Sequence, residues 1–227
     1  MRETEEVRKA RKIRKARKVR KARKERGGAQ MKTVDIFLAD IREFGEDTQA
    51  VLSRIAPCYV KKHRAHKIEK DARQELVCGW MLREYLGIER DDQIFYNEYQ
   101  KPYLVSKEKF FNLSHSEDYV ALAVADCEVG IDVEKLRPYH EATVKKVFST
   151  RQREALSRLE GARRDECFTR MWTVCEAMLK LKGTGFGEEW DKESGPVEKC
   201  SIRTETINEY MLSCATEEKA DVVIHFC

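Results

Sequence analysis

Apolar and polar residues alternate with a period of two in several short stretches, and this pattern predicts strands. Residues 33–39 place Val34, Ile36 and Leu38 on one side, as expected for a strand with one face in the core. A short strand is predicted at 94–96, a fully apolar run predicts another at 119–125, and the same alternation predicts strands at 197–206, 210–215 and 220–226. The last three follow one another closely, which is typical of a β-meander.

Other stretches repeat their apolar residues at helical spacing. The segment 68–86 has Leu76, Trp80 and Leu86 near one face, and Gly87 is its predicted end. Further helices are predicted at 47–55, at 141–148, from about Arg151 behind the cap residue Ser149, and from about Asp165 to Gly183. Because helices precede strands in both halves, we predict an α+β fold with two similar, pseudo-symmetric lobes.

The charge pattern separates the first thirty residues from the rest. The chain has a net charge of +4, yet residues 1–30 hold fourteen Lys and Arg against four Glu. Three Val/Ile-Arg-Lys-Ala-Arg-Lys copies make up most of this stretch. Their apolar residues recur every three positions, so on a helix they would not stay on one face that could pack on a core. This favours a disordered tail or a free helix. The charge pattern therefore predicts a separate tail at 1–30. We divide the rest of the chain into a first lobe at 31–128 and a second lobe at 129–227.

The basic tail is compatible with three functions: nucleic-acid binding, tethering to an anionic membrane, and organelle import. Its four Glu residues and its lack of Ser weigh against import. A further alternative is that Met31 is the natural start, since ordinary folded sequence begins there.

Composition argues against a membrane-spanning protein and against a secreted protein held by disulfides. No apolar run reaches the roughly 18 residues needed to span a bilayer, and no apolar signal core follows the basic start. The eight cysteines are scattered without a C-x-x-C pair, which indicates a reducing cytoplasm and neither a disulfide framework nor a zinc site.

Two carboxylates are the main candidates for chemistry. Asp132 and Glu134 lie two residues apart in a strand-like stretch, so they share a face and repel each other unless a hard cation lies between them. A third, Glu176, lies in a predicted helix with Lys180 one turn further on. We predict a Mg²⁺ site at Asp132, Glu134 and Glu176 that acts on phosphates. The alternatives are a solvated strand end and a plain intrahelical ion pair.

Two polar stretches could contact phosphates. Ser114-His115-Ser116 is predicted in a turn, where hydroxyls and free backbone amides can hold a phosphate. A Ser/His hydrolase fits less well, because adjacent strand residues point apart and no G-x-S-x-G elbow is present. The basic cluster that contains Arg64 and Lys67 suits either a solvated face or phosphate binding.

Five motifs occur in one order along the chain. They are Lys-Pro-Tyr at 101–103, Phe-Asn-Leu-Ser-His-Ser at 111–116, Gly-Ile-Asp-Val-Glu at 130–134, Phe-Ser with Ala-Leu at 148–156, and Trp-x-x-x-Glu-Ala-x-x-Lys-x-x-Gly-x-Gly at 172–185. Together they resemble the 4′-phosphopantetheinyl transferases of the two-lobed Sfp type. The resemblance implies that family's fold and transfer of phosphopantetheine from coenzyme A to a serine of an apo acyl or peptidyl carrier protein. It also implies a need for Mg²⁺ and release of adenosine 3′,5′-bisphosphate.

The resemblance also implies residue roles. Asp132, Glu134 and Glu176 would ligate Mg²⁺, with Glu176 as the base for the serine and Lys180 stabilising the transferring phosphoryl group. Coenzyme A phosphates would be held by Arg64, Lys67, Lys101, Pro102, Ser114 and His115. The protein would be a monomer with the form of a pseudo-dimer.

Two positions depart from the family pattern. Cys175 replaces a lysine beside the metal-binding glutamate, and Gln100 replaces a glycine before Lys101. The first would remove a cation from the site, and the second would alter a turn. Two other functions stay open: nucleic-acid binding through residues 1–30 with an inactive core, and an unrelated Mg²⁺-dependent phosphohydrolase.

Overall fold

The structure is a computed structural model that describes residues 31–185 and 200–227. The basic tail and the start of the strand predicted at 197–206 lie outside the described residues. The strands are β1 Lys32–Asp40, β2 Ile94–Tyr96, β3 Pro102–Leu104, β4 Phe110–Ser116, β5 Tyr119–Ala125, β6 Val129–Lys135, β7 Ser201–Ile207, β8 Tyr210–Thr216 and β9 Ala220–Phe226. The α-helices are α1 Thr48–Leu52, α2 Pro57–Ala65, α3 Glu69–Leu86, α4 Glu141–Val147, α5 Thr150–Ser157 and α6 Gly161–Lys182.

Two sheets form the centre of the fold. The first has the strand order β4-β5-β1-β9, with β9 parallel to β1 and the other neighbours antiparallel. The second has the order β6-β8-β7 and is antiparallel throughout. Their apolar faces enclose one core, in which Ile36, Ala121, Ile131 and Leu212 are buried.

Helices cover both sheets and complete the α+β architecture. Helices α1 to α3 pack with the first sheet around Leu76 and Met81. Helix α6 lies across β6 and β8, and α4 and α5 pack against it around Phe148 and Phe168. The predicted fold class of two lobes, each with helices on a small sheet, is confirmed. None of the helices in the described ranges is long and apolar enough to cross a membrane.

Side chains join the two sheets at their edges. The edge strands β4 and β6 run in the same direction, and Asn112, Ser114 and Ser116 of β4 accept hydrogen bonds from alternate backbone amides of β6. At the opposite edge, Arg203 Nη1 of β7 donates to Val222 O of β9 (2.9 Å).

Most predicted elements are confirmed. Strands β1, β2, β5, β8 and β9 agree with prediction to within one residue, and α3 ends at Gly87, whose φ is +68°. Helix α6 begins at Gly161, before the predicted start near Asp165. Helix α2 is not predicted from the sequence, and Pro57 lies in its first turn, a position where the missing N–H of proline costs nothing.

Two predictions of local topology are wrong. Ser114-His115-Ser116 is the end of β4, paired with β5, and the turn begins only at Glu117. Strands β7 to β9 are not a meander, because β9 leaves the second sheet and pairs with β1. Alternation tells which face of a strand is buried, but does not tell which strand lies beside it. The division into lobes between residues 128 and 129 stays a prediction. Strand β9 lies in the predicted second lobe by sequence, but it pairs with β1 in the first sheet.

Candidate functional site

Helix α6 approaches β6 closely because a glycine lies beneath it. A Cβ at Gly130 would lie 2.0 Å from Ala177 O and 2.3 Å from Leu181 N, which is shorter than any non-bonded contact, so only glycine fits. This approach brings Glu176 and Lys180, one turn apart on α6, to the two carboxylates of β6.

Asp132 is the most enclosed of these carboxylates, with 3% exposure. Its Oδ1 accepts hydrogen bonds from Lys180 Nζ (2.6 Å) and Ser114 Oγ (2.9 Å). Its Oδ2 is buried and has no hydrogen-bond partner in the described part of the chain. Burial raises the pKa of this carboxyl, while Lys180 opposes the rise. Since an unpaired buried oxygen is costly, Oδ2 is well suited to ligate a cation.

Glu134 lies on the same face of β6 and is partly buried. Its Oε1 accepts a hydrogen bond from Trp172 Nε1 (3.0 Å), and its Oε2 accepts one from Ser116 Oγ (3.0 Å). Because a carboxylate has about four acceptor positions, each oxygen keeps a lone pair for a further ligand.

Glu176 completes the set from α6. It is partly buried, and no described residue donates a hydrogen bond to its carboxylate. Burial is the main cause that raises the pKa of Glu176; Lys180 opposes it, and the Asp132 and Glu134 carboxylates raise the pKa further. The three acids therefore share one electrostatic environment.

The acids do not form a ready metal cluster. Within residues 31–185 and 200–227, no three His, Cys, Asp or Glu side chains are gathered closely enough to hold an ion. Lys180 instead pairs with Asp132, rather than with Glu176 of its own helix. The chemistry of the set still fits Mg²⁺, because all three groups are carboxylates and one buried oxygen is unpaired.

The structure places Ser114 and His115 on opposite sides of β4. Ser114 is buried, and every hydrogen-bonding position of its hydroxyl is occupied. The oxygen accepts from Val133 N (3.2 Å) and Lys180 Nζ (3.1 Å), and the hydrogen is donated to Asp132. A phosphate at Ser114 would have to displace Asp132. His115 is exposed and open to a ligand. The phosphate roles of both residues stay predictions.

Lys101 connects the β2–β3 hairpin to the end of α6. Its side chain is buried, and Nζ donates to Glu128 Oε2 (2.7 Å) and to Leu181 O (2.7 Å). Pro102 begins β3. Gln100 has a φ of +66°, which accounts for the glycine expected there from the resemblance. The phosphate roles of Lys101 and Pro102 stay predictions.

Arg64 lines an open groove of about 940 Å³ beside α2, together with the cations Arg54, Lys61 and Arg90. Lys67 follows α2 and is exposed. The cationic lining suits an anion, but no described contact connects this groove with the carboxylates. The roles predicted for Arg64 and Lys67 are therefore still predictions.

Cys175 lies next to Glu176 but belongs to the core. It is buried in the apolar cluster that contains Phe148, Leu156 and Phe168, and burial raises the pKa of its thiol to about 12. The change from the expected lysine thus fills a packing position.

Sequence reasoning named Ser116 and Trp172 within motifs but missed their hydrogen bonds to Glu134. The Ser116 contact could have been found from the Asn-x-Ser-x-Ser spacing of β4, which equals the spacing of the two acids. Arg137 carries no such signal. Its guanidinium lies over the rings of Trp172 (4.6 Å) and Phe168 (5.3 Å), and its Nε and Nη2 are buried without a hydrogen-bond partner among the described residues.

Comparison with known proteins finds similarity to 4′-phosphopantetheinyl transferases. Residues 128–226 match the model of the 4′-phosphopantetheinyl transferase superfamily. The chain is 35% identical over 121 residues to 4′-phosphopantetheinyl transferase psf-1 of Bacillus pumilus, covering 51% of this chain and 52% of that protein. It is also 35% identical over 134 residues to 4′-phosphopantetheinyl transferase HetI of Nostoc, covering 55% and 56%.

A third relative matches over a longer stretch. The chain is 26% identical over 207 residues to a 4′-phosphopantetheinyl transferase of Bacillus subtilis, covering 82% of this chain and 92% of that protein. The chain spans only about half the length of the first two relatives.

Proposed function

We propose that the chain, whose residues 128–226 match the 4′-phosphopantetheinyl transferase superfamily, transfers the 4′-phosphopantetheine group of coenzyme A to a serine of an apo acyl or peptidyl carrier protein. The other product is adenosine 3′,5′-bisphosphate. The proposal depends mainly on one observation, the three carboxylates and Lys180 that α6 and β6 bring together at Gly130. Three acids and a cation in one partly buried site suit Mg²⁺-assisted phosphoryl transfer.

Asp132, Glu134 and Glu176 are the residues that would hold Mg²⁺. When bound, the ion offsets the negative charge of the coenzyme A diphosphate and of the leaving bisphosphate. The unpaired Oδ2 of Asp132 supports this assignment.

The other roles follow from which side chains are available. Glu176 accepts the proton of the carrier serine, since no described residue hydrogen-bonds to it. Lys180 stabilises charge on the transferring phosphoryl group, because its Nζ already lies beside the acids. The proposed contacts to coenzyme A phosphates are those of His115, Arg64, Lys67, Lys101 and Pro102; Ser114 would make such a contact only by giving up its hydrogen bond to Asp132.

The test is the intact mass of an apo carrier protein after incubation with the full chain, coenzyme A and Mg²⁺. We expect a gain of about 340 Da, the mass of one phosphopantetheine group. The gain should disappear with EDTA and with Glu176→Gln. No gain across several acyl and peptidyl carriers, with the wild-type protein folded, would refute the proposal.

The same assay addresses the alternatives. An unrelated phosphohydrolase would release inorganic phosphate and leave the carrier mass unchanged. A protein that works through residues 1–30 would lose function when they are deleted and would tolerate Asp132→Ala. We propose that the tail is dispensable for carrier loading, and that the enzyme acts as a cytoplasmic monomer without a membrane partner.

A further inference from the structure

The side chains of β4 are aligned with the backbone of β6 in a regular pattern. Both strands repeat every two residues and run in the same direction, so alternate side chains of one meet alternate amides of the other. The contacts are Asn112 Oδ1 with Ile131 N (2.9 Å), Ser114 Oγ with Val133 N (3.2 Å) and Ser116 Oγ with Lys135 N (3.2 Å).

In the two serines, these contacts determine where the hydroxyl hydrogen points. A serine hydroxyl has one hydrogen and two lone pairs. At Ser116 the amide of Lys135 takes a lone pair, and the hydrogen is donated to Glu134 Oε2 (3.0 Å). At Ser114 two donors take both lone pairs, and the hydrogen is donated to Asp132 Oδ1 (2.9 Å).

We infer that Ser114 and Ser116 are positioning residues, which orient the Asp132 and Glu134 carboxylates for a divalent cation. This role rests on the proposed function and differs from the phosphate contact expected of Ser114. For Ser116 it replaces the phosphate contact that the sequence suggests for the Ser114-His115-Ser116 stretch.

The geometry at Glu134 supports the inference most strongly. Ser116 holds one of its oxygens and Trp172 Nε1 holds the other, so the carboxylate is restrained from both sides. A partly buried carboxylate without such donors would have to lose rotational freedom when it binds an ion. Groups that orient metal ligands through hydrogen bonds typically change metal affinity 10–100-fold.

The experiment measures binding of Mn²⁺, as a probe for Mg²⁺, to the full chain by electron paramagnetic resonance of the free ion. Ser116→Ala should weaken binding about tenfold. Ser116→Thr keeps the hydroxyl and should restore the wild-type affinity. Ser157→Ala is the matched control, because Ser157 is exposed on α5 and bonds only to Glu154 O within the described residues. Thermal unfolding in EDTA confirms that each variant is folded.

The possible outcomes separate the two proposals. If Ser116→Ala lowers the unfolding temperature but leaves Mn²⁺ affinity unchanged, Ser116 only joins the sheets, and the inference is wrong while the proposed function stands. If the wild-type protein neither binds Mn²⁺ nor loads a carrier, the proposed function fails and the inference fails with it.

Discussion

At Glu176, burial and two neighbouring carboxylates all disfavour the charged form. The folded protein therefore keeps this proton to a higher pH than the unfolded chain does. The stability that Glu176 contributes is fully present at low pH and is lost as the pH rises through the raised pKa of the folded state.

Glu176→Gln should remove this loss. Without metal, we expect the variant to exceed the wild type in free energy of unfolding at neutral pH, with the difference shrinking as the pH falls towards 4. Urea unfolding of both proteins in EDTA, from neutral pH down to about pH 4, measures this difference in the free energy of unfolding. A difference that is constant with pH would contradict the account.

Gln100→Gly tests the left-handed turn before Lys101. Gln100 is exposed and has a φ of +66°, so glycine should stabilise the protein by about 1 kcal/mol. Differential scanning calorimetry measures the change. Gln100→Ala keeps a Cβ and should bring no gain.

The residues of the site differ in how far sequence predicts them. The shared face of Asp132 and Glu134 follows from their spacing alone. The partner of Lys180 does not, because the i,i+4 spacing points to Glu176, whereas the close approach of α6 to β6 brings Asp132 within 2.6 Å of Nζ.

At the scale of elements, the contact between α6 and β6 depends on one glycine. Gly130→Ala would force the helix away from the strand, and we expect a loss of about 3 kcal/mol or more in the free energy of unfolding. The matched control is Gly45→Ala, where the nearest atom to an added Cβ is 4.0 Å away. Equal effects of the two changes in urea unfolding would argue against the close packing.

The β2–β3 hairpin is tied to α6 through Lys101. Lys101→Met leaves Glu128 and the carbonyl of Leu181 without their partner, so we expect a loss of about 2 kcal/mol without any ligand present. Lys109→Met breaks a more exposed pair with Asp126 and should cost less than about 1 kcal/mol. Chemical denaturation of both variants measures the difference.

Elements were predicted best where one signal dominates. Alternation identifies β1, a fully apolar run identifies β5, and Gly87 marks the end of α3. Helix α2 was missed because Lys61, Lys62, His63 and Arg64 fill its second half and look like a solvated stretch, and because Pro57 looks like a stop when it is read without its structural context.

At the scale of the molecule, the chain crosses between the sheets more than once. Strand β9 follows β8 in sequence but lies beside β1, so the first sheet is not built from one continuous segment and is completed only by the end of the chain. We expect the whole described fold to unfold in a single transition.

Fluorescence tests this expectation in a Trp190→Phe background. Trp80 on α3 reports on the first sheet and its helices, and Trp172 on α6 reports on the second. In this background, Trp172→Phe leaves Trp80 as the fluorescent probe and Trp80→Phe leaves Trp172. The urea unfolding curve of each variant, followed by fluorescence, should match its curve from circular dichroism. Separate midpoints for the two probes would mean that the lobes unfold independently.

The overall class was predictable and the assembly was not. Helices preceding strands in both halves indicate α+β, but the parallel placement of β9 and the contact between β4 and β6 depend on long-range packing that alternation does not encode.

The donors along the contact between β4 and β6 are backbone amides, which every residue except proline possesses. The side chains at 131 and 133 can therefore drift among apolar residues during evolution without losing a hydrogen bond. Positions 112, 114 and 116 have no such freedom, because their side chains supply the acceptors. Neutral drift at this contact is thus confined to one of its two strands.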